Sequence, residues 1–330
     1  MYPSLAGYYT IAVNETSRKD SRPALTGFSR TDILKSGVIY FIALFLGTCE
    51  AYAYEVQNRR RFFCRHSHPC RNRVFQFAAK INIGERIFVD DASLDVMEMV
   101  GALRAYKGRT TTACPNTEEY LEAFGDADRV FCITISSNLS GSYNAARLAK
   151  EQYGEEHPGR KVHIIDSLSA GSELTMLAIK LRDMIAEKID FETIVEKITA
   201  YHEKLGTMFV LQSVHNLANN GRVSPAIAAL VGMLGIRMVG KASDVGTLEL
   251  TDKCRGDKRA LAQLYKTMKE MGFAGGLVHI HHCANEASAK LLNEHILKDF
   301  PGAKVVIDKL GGLCSFYAEY GGMIVGFELA

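Results

Sequence analysis

The chain has 330 residues, of which 47% are hydrophobic and 23% charged, a globular composition long enough for two packed domains. Its net charge of +2 is uneven, because residues 1–80 carry 12 Lys and Arg against 5 Asp and Glu, and the remainder carries 27 against 32. A mildly acidic body without basic clusters argues against nucleic-acid binding, which depends on neutralising phosphates.

The eight cysteines are scattered along the chain, which predicts a reducing compartment and a cytoplasmic protein. The segment Cys64–Cys70 (CRHSHPC) places four possible metal ligands within seven residues. Structural zinc sites usually join two separated ligand pairs, whereas one short segment would have to supply all four here. We therefore favour a solvated basic loop and predict no metal site.

Residues 38–46 (VIYFIALFL) are continuously apolar but far shorter than the roughly 20 residues that span a bilayer. One interpretation is a signal sequence cleaved near Ala51-Tyr52-Ala53. Such a leader would be much longer than the usual ~15–30 residues. A short buried strand or helix fits better, and we predict no stable membrane insertion.

From residue 86 onward, strand-like runs alternate with helical patterns, which is typical of parallel strands joined by helical crossovers. The predicted strands are 86–89, 129–135 and 161–165, and the predicted helices are 94–106, 143–153, 173–188 and 191–204. The first part of the body is therefore predicted to be a parallel-sheet α/β/α lobe.

The pattern then changes to longer gaps and Gly-rich turns, which indicates an α+β lobe with a mostly antiparallel sheet. Ser224-Pro225 predicts a helix start, and Gly235 predicts its end. Residues 226–234 between them are apolar on every face, so this helix is either buried or lines an apolar cavity. The further predicted elements are strands at 236–239, 276–282, 305–308 and 323–327 and helices at 258–271 and 286–300.

A hydroxyl-rich loop follows the strand at 129–135, with serines at 136, 137, 140 and 142. Ligands of parallel α/β sheets bind at the carboxyl ends of strands. Free amides at the next helix start, with Gly141 allowing close approach, favour an anionic group. The alternative is plain capping of that helix by Ser140 or Ser142.

Two other polar segments follow predicted strands or turns. Thr110–Asn116 (TTTACPN) precedes a short amphipathic helix at 118–125, and Asp166-Ser167 follows the strand at 161–165. Both are also explained by turn or capping chemistry. Cys114 has no predictable His partner, which argues against a catalytic thiol.

These segments stand in the order of the motifs of the DegV family. Six motifs are in register over about 250 residues: Thr112–Asn116 (TACPN), Ser136–Tyr143 (SSNLSGSY), Asp166-Ser167, Asn220–Arg222 (NGR), Gly235–Met238 (GIRM) and Lys253–Gly256 (KCRG). Residues 74–330 therefore resemble a DegV protein. The family's opening motif has no counterpart in residues 1–73, and this segment is interpreted as a divergent replacement, an extension or an out-of-frame translation. If the first strand is absent, the head-group site loses one wall.

The resemblance implies an EDD-fold, lipid-binding carrier that buries one long-chain fatty acid between two lobes. It divides the chain into an unmatched segment (1–73), an α/β lobe with ligand loops (74–205) and an α+β lobe that closes the acyl pocket (206–330). Carried over by position, the carboxylate ligands are Thr112, Ser137, Ser140 and Gly141. In some members a separate fatty acid kinase phosphorylates the bound acid, so such a kinase is a possible partner.

Two further sets of residues are candidates. The helix at 226–234 is predicted to contribute to the pocket wall through Ile227, Leu230, Val231 and Leu234, with core packing as the alternative. Arg222 and Arg255 lie in family motifs and could face a partner or a phosphate, with structural salt bridges as the alternative. His281 and His282 are interpreted as turn and core residues, although they could titrate near neutral pH.

The sequence departs from the family at several positions, of which Tyr317 matters most. It stands where many members have a histidine, so a histidine contact to the head group is not expected. Ser142, Arg237 and Met238 replace the usual Thr, Lys and Pro.

Two other functions compete with the carrier. A serine or cysteine hydrolase using Ser137, Ser140 or Cys114 would need a histidine and an acid nearby, and the serines lack the G-x-S-x-G elbow. A small-anion binding module would use the same loop. The carrier is preferred, without catalytic residues and without a cofactor other than the bound fatty acid.

Overall fold

A computed structural model describes the strands Thr10–Glu15 and Asn72–Gln76, residues 78–229 and residues 235–330. The apolar run at 38–46 and the Cys64–Cys70 segment lie outside these residues, so the predictions for them stay predictions. None of the helices at 78–229 and 235–330 is long and apolar enough to cross a membrane. Within the same ranges, no three His, Cys, Asp or Glu side chains are grouped as a metal ion would require.

The first lobe contains a four-stranded sheet in the order β2-β1-β6-β7. Its strands are β1 (Thr10–Glu15), β2 (Asn72–Gln76), β6 (Arg129–Thr134) and β7 (Lys161–Asp166). Strands β6 and β7 are parallel and joined through helix α3 (Ser142–Glu156), as predicted. Strand β1 runs antiparallel to both β2 and β6. A strand from the unmatched segment therefore lies beside β6.

A second, three-stranded antiparallel sheet completes this lobe in the order β4-β3-β5. Its strands are β3 (Lys80–Ile83), β4 (Arg86–Val89) and β5 (Thr110–Ala113). The lobe's other helices are α1 (Val96–Ala105), α2 (Thr117–Phe124), α4 (Ser172–Ala186) and α5 (Phe191–His202).

The second lobe is a six-stranded sheet in the order β10-β9-β8-β13-β11-β12. Only its β11–β12 pair is parallel, as predicted for a mostly antiparallel sheet. The strands are β8 (Leu205–Leu211), β9 (Ile236–Ala242), β10 (Leu248–Arg255), β11 (Leu277–His282), β12 (Lys304–Lys309) and β13 (Met323–Glu328). The helices are α6 (His215–Asn219), α7 (Pro225–Ala228), α8 (Asp257–Glu270), α9 (Glu286–Asp299) and α10 (Gly312–Ala318).

The structure therefore confirms the two-part α/β fold class, and most predicted elements lie within two residues of their observed bounds. Ser224 caps α7 as predicted, since its side chain accepts a hydrogen bond from the Ile227 amide. The elements that the sequence missed are β1, β2, β3, β5, β8, β10, α6 and α10. Five of them, β5, β8, β10, α6 and α10, contribute residues to the candidate site.

Buried apolar side chains explain how the two lobes hold together. All seven residues of β8 are buried, and α4 packs against both sheets with ten buried residues. One hydrophobic cluster accordingly includes Phe131 and Ile133 of β6 together with Phe209 of β8. At about 25 cal/mol per Å² of apolar surface, this shared core stabilises one particular arrangement of the lobes.

Candidate functional site

An apolar cavity of about 90 Å³ lies between the lobes, several times the roughly 10–15 Å³ needed to enclose one water. Its wall is almost wholly apolar and comes from both lobes, with residues that include Ile135, Leu139, Leu168, Ala170, Phe209, Leu211, Leu217, Leu248, Leu313 and Ile324. Arg222 and Tyr317 also belong to the residues that line it. A long apolar ligand with one polar end matches this lining.

The first polar contact at the cavity joins β5 to α10. The Thr112 hydroxyl lies 2.7 Å from the Tyr317 hydroxyl, and either oxygen can donate. Burial raises the pKa of Tyr317, more than the Thr112 bond and the Arg222 charge lower it. The tyrosine therefore stays protonated at neutral pH and keeps a proton to donate.

Arg222 brings a cation to this contact. Its guanidinium carbon lies 5.9 Å from the centre of the Tyr317 ring, and its Nε donates to the Leu139 carbonyl at 3.3 Å. Its Nη1 donates to the Asn220 carbonyl. Within residues 78–229 and 235–330 Arg222 forms no ion pair, which argues against the structural salt bridge considered from the sequence. We call Thr112, Tyr317 and Arg222 the Arg222 cluster.

The hydroxyl-rich loop at residues 136–142, called the serine loop below, contacts the Arg222 cluster through its backbone. Leu139 provides the carbonyl that Arg222 binds, and a Cβ placed on Gly141 would lie 3.4 Å from the sulfur of Cys114, two residues after Thr112. The Ser140 hydroxyl lies 2.8 Å from that of Ser142 and accepts the Ser142 amide at 3.2 Å, at the start of α3. Ser140 is therefore engaged in the local capping considered as the alternative.

Ser137 lies further out in the same loop. Its side chain is exposed, while its amide donates to the Asp166 carboxylate at 3.1 Å. Asp166 also accepts the Leu168 amide at 3.1 Å and so ties two loops together. The structure thus places Gly141 next to Cys114, leaves Ser137 exposed and occupies Ser140 with its neighbour. The roles predicted for these residues stay predictions.

A hairpin from the second lobe covers the serine loop. Asn138 donates to the Val245 carbonyl at 2.7 Å, at the tip between β9 and β10. Gly246 adopts a positive φ of 75°, and a Cβ there would lie 2.3 Å from the Ser136 hydroxyl and 2.7 Å from the Leu168 Cα. Only glycine fits both the backbone conformation and this close approach. The hairpin tip therefore closes one side of the cavity.

A second polar group borders the cavity and is buried. Ser169 donates to Thr207 at 2.9 Å, and Thr207 donates to a carboxylate oxygen of Glu173 at 2.6 Å. The other Glu173 oxygen lies 3.2 Å from Nε2 of His202, which also bonds the Ser167 carbonyl at 2.9 Å. We call Ser169, Thr207, Glu173 and His202 the Glu173 network.

Opposing effects set the charge of His202. Burial lowers its pKa, but the hydrogen bond and charge of Glu173, together with the Ser167 carbonyl, outweigh burial and leave the pKa above its usual value. The raised pKa favours the protonated histidine beside a carboxylate. The Glu173 network is therefore a buried group whose polar atoms bond one another, and protonation of His202 makes its contact with Glu173 an ion pair.

Asp90 anchors the helix that carries Tyr317. Its carboxylate accepts the Gly312 and Leu313 amides at 2.7 and 2.9 Å, in the first turn of α10. Burial raises the pKa of Asp90 to about 7, more than these two amides lower it. A residue of the first lobe thus fixes the position of α10 in the second.

The remaining candidates lie elsewhere. Ile227 is buried in the core cluster and is not among the residues that line the cavity, while Leu230, Val231 and Leu234 lie outside the described residues. The pocket-wall role of this helix stays a prediction. Arg255 is exposed near the end of the edge strand β10.

His281 and His282 are buried, as the core interpretation predicted. Burial lowers the pKa of His281 to about 3, and it also lowers the pKa of His282. Both rings are therefore neutral at neutral pH and bring no charge to the site.

Sequence reasoning missed Tyr317 as a site residue and treated Arg222 only as a partner-facing group. Many family members have a histidine at this position, so the tyrosine was interpreted as the loss of a histidine contact to the head group. A tyrosine still offers a hydroxyl donor. The sequence signal that could have identified Tyr317 was therefore its position, where many family members have a histidine.

Comparisons with known proteins agree with this geometry. The sequence profile of the DegV family, whose members are described as uncharacterised, matches residues 70–328. A DegV domain-containing protein of Streptococcus pneumoniae is 47% identical over 249 residues, which cover 76% of this chain and 89% of the relative.

Two crystal structures are also similar. The fatty acid kinase B3 protein of S. pneumoniae, loaded with linoleic acid, is 46% identical with a TM-score of 0.75, over 77% of this chain and 90% of the other. A DegV family protein from Eubacterium eligens, loaded with heptadecanoic acid, is 43% identical with a TM-score of 0.74, over 77% and 92%. By sequence and by fold, the chain belongs to the DegV family.

Proposed function

We propose that this protein binds one long-chain fatty acid in the cavity between its lobes and carries it without chemical change. The observation that carries the proposal is a cation, Arg222, that forms no ion pair with any described residue and lies at the wall of a mostly apolar cavity. The S. pneumoniae and E. eligens relatives crystallised with fatty acids support the same ligand class.

The apolar wall supplies most of the binding energy. Burying about fifteen methylenes at ~0.8 kcal/mol each gives on the order of 12 kcal/mol before the costs of association. Such a wall does not distinguish a fatty acid from its ester or from an alkane. Selectivity for the acid has to come from the polar end.

The Arg222 cluster supplies that selectivity. A buried carboxylate is costly unless it is paired and hydrogen-bonded, and guanidinium–carboxylate bonds are among the stronger ones in proteins. Arg222 offers the charge, while Thr112 and Tyr317 offer hydroxyl donors. Ser137, Ser140 and the Gly141 amide complete the head-group site at the rim, as the sequence predicts.

We further propose that the bound carboxylate is presented to a separate fatty acid kinase. The relative named as a fatty acid kinase B3 protein motivates this partner. The half-buried Arg222 cluster and the exposed Ser137 would leave the head group within reach of another protein. Incubating the loaded protein with such a kinase and ATP should yield an acyl phosphate that hydroxylamine traps.

Native mass spectrometry of the protein purified from a bacterium tests the ligand. We expect the added mass of a single fatty acid, and competition should show tighter binding of oleic acid than of methyl oleate. The ester keeps the acyl chain but lacks the charge that Arg222 recognises. A purified protein that carries no lipid and takes up neither compound would show that the proposal is wrong.

A further inference from the structure

We infer that Asn216 is the positioning residue that holds the three members of the Arg222 cluster in one arrangement. This inference rests on the proposed function and names the residue behind its head-group site. Asn216 is 2% exposed and lies on α6, which the sequence did not predict. Its side chain and backbone reach the three elements on which Thr112, Tyr317 and Arg222 lie.

The first connection runs to β5. The Thr110 hydroxyl donates to Oδ1 of Asn216 at 3.1 Å, and both side chains are buried. Because side chains alternate along a strand, Thr110 and Thr112 point to the same face of β5. A bond to Thr110 therefore fixes the face of the strand that presents the Thr112 hydroxyl.

The second connection runs to α10. Nδ2 of Asn216 donates to the Phe316 carbonyl at 3.0 Å, one residue before Tyr317. The Asn216 amide donates to the carboxylate of Glu319 at 3.0 Å, and Glu319 also accepts the Ser213 hydroxyl at 2.9 Å. The segment carrying Tyr317 is thus held on both sides of the tyrosine.

The third connection runs to Arg222. The Asn216 carbonyl accepts both the backbone and the side-chain amide of Asn220, at 3.1 and 2.9 Å. The Asn220 carbonyl in turn accepts from the guanidinium of Arg222. One buried asparagine therefore connects β5, α10 and the turn before Arg222.

A residue that only stabilised the fold would affect every ligand equally, whereas a positioning residue should affect the carboxylate selectively. The experiment therefore compares dissociation constants for oleic acid and methyl oleate in folded protein. Thr110→Val removes the hydroxyl that bonds Asn216 with little change in shape. We expect oleic acid to bind about tenfold more weakly and methyl oleate to bind unchanged.

Three further variants make the test specific. Thr110→Ser keeps the hydroxyl and should restore the affinity for oleic acid. Asn216→Asp keeps the acceptor for Thr110 but places an oxygen against the Phe316 carbonyl. The affinity for oleic acid should therefore fall again, and by more than the affinity for methyl oleate. Thr111→Val is the matched control, because Thr111 points to the other face of β5 and accepts only from Asn82 at 3.1 Å.

The outcomes separate this inference from the proposed function. A wild-type protein that binds neither ligand overturns both. If the wild-type protein prefers the acid, two results for Thr110→Val overturn only the role of Asn216. One is an equal loss of affinity for acid and ester, and the other is no loss for either ligand. Loss confined to the acid, with recovery in Thr110→Ser, supports it.

Discussion

The Glu173 network and the Arg222 cluster border the same cavity, yet their charges are satisfied differently. The Glu173 carboxylate is 5% exposed and bonds both Thr207 and His202. Arg222 is half-buried and bonds two carbonyls beside an aromatic ring. A charge matched within the protein supports the fold, whereas a cation that meets only neutral groups among the described residues leaves room for an anionic ligand. The comparison thus separates a structural polar group from a binding one.

The largest expected effect comes from breaking the Glu173 network. Glu173→Ala removes one member of a buried pair and should lower the free energy of unfolding by about 3 kcal/mol. Urea denaturation measures this loss. Glu192→Ala, which breaks the exposed pair with Lys161, is the control and should cost less than ~1 kcal/mol. Equal losses in the two variants would show that the network has no special structural role.

The next effect comes from removing the cation of the Arg222 cluster. Arg222→Leu should weaken oleic acid binding about 100-fold, because a charge-assisted bond to the carboxylate is lost. Its stability should change little, in contrast to Glu173→Ala. Arg255→Leu removes the other arginine suggested by the sequence, and its affinity should stay at the wild-type value. Calorimetric titration with oleic acid measures both affinities. Equal affinities in Arg222→Leu and Arg255→Leu would contradict the role of Arg222 in binding the carboxylate.

A smaller effect is expected from Tyr317→Phe. This change removes one hydroxyl donor but keeps the ring beside Arg222, so oleic acid should bind about tenfold more weakly. Tyr265→Phe is the control, because its hydroxyl bonds Asp299 in the outer helices. Unchanged acid affinity in Tyr317→Phe would remove the hydroxyl from the head-group site and leave the cation alone.

The smallest effect is a pH dependence of the Glu173 network. A folded-state pKa above the unfolded value of 6.5 means that the His202 contribution is complete below pH 6.5 and is lost as pH rises through the folded pKa. The pKa of Asp90 is also raised, from 3.8 to about 7, so its contribution to the stability of the fold is likewise lost as the pH rises from 3.8 to 7. The wild-type advantage over His202→Gln should therefore shrink as the pH rises above 6.5. A constant advantage above pH 6.5 would contradict a charged His202.

The sequence predicted the helices well, because apolar spacing and caps such as Ser224 act over a few residues. Strand β8 was missed, since LGTMFVL is buried on both faces and shows no alternation. Strand β5 was missed because its TTTA composition also fits a turn. Helix α10 begins at a glycine and depends on Asp90, more than 200 residues earlier. Long-range contacts of that kind leave no local pattern.

The candidate site was predictable only in part, because local motifs can be read from the sequence and long-range contacts cannot. Thr112 and the serine loop carry motifs that can be read in one stretch of chain. The Arg222 cluster combines strand β5, the turn before Arg222 and helix α10, and only the folded chain brings them together. Asn216 gives no sequence signal, because its importance lies in partners 100 and 106 residues away.

Gly246 has a practical consequence for the time that a lipid stays bound. Any side chain at this position would collide with Ser136 and Leu168, so even Gly246→Ala has to lift the hairpin from the serine loop. Lifting it would open the cavity to water on that side. We expect such a protein to exchange its lipid quickly while its head-group contacts remain intact, so that residence time and chemical selectivity depend on different parts of the molecule.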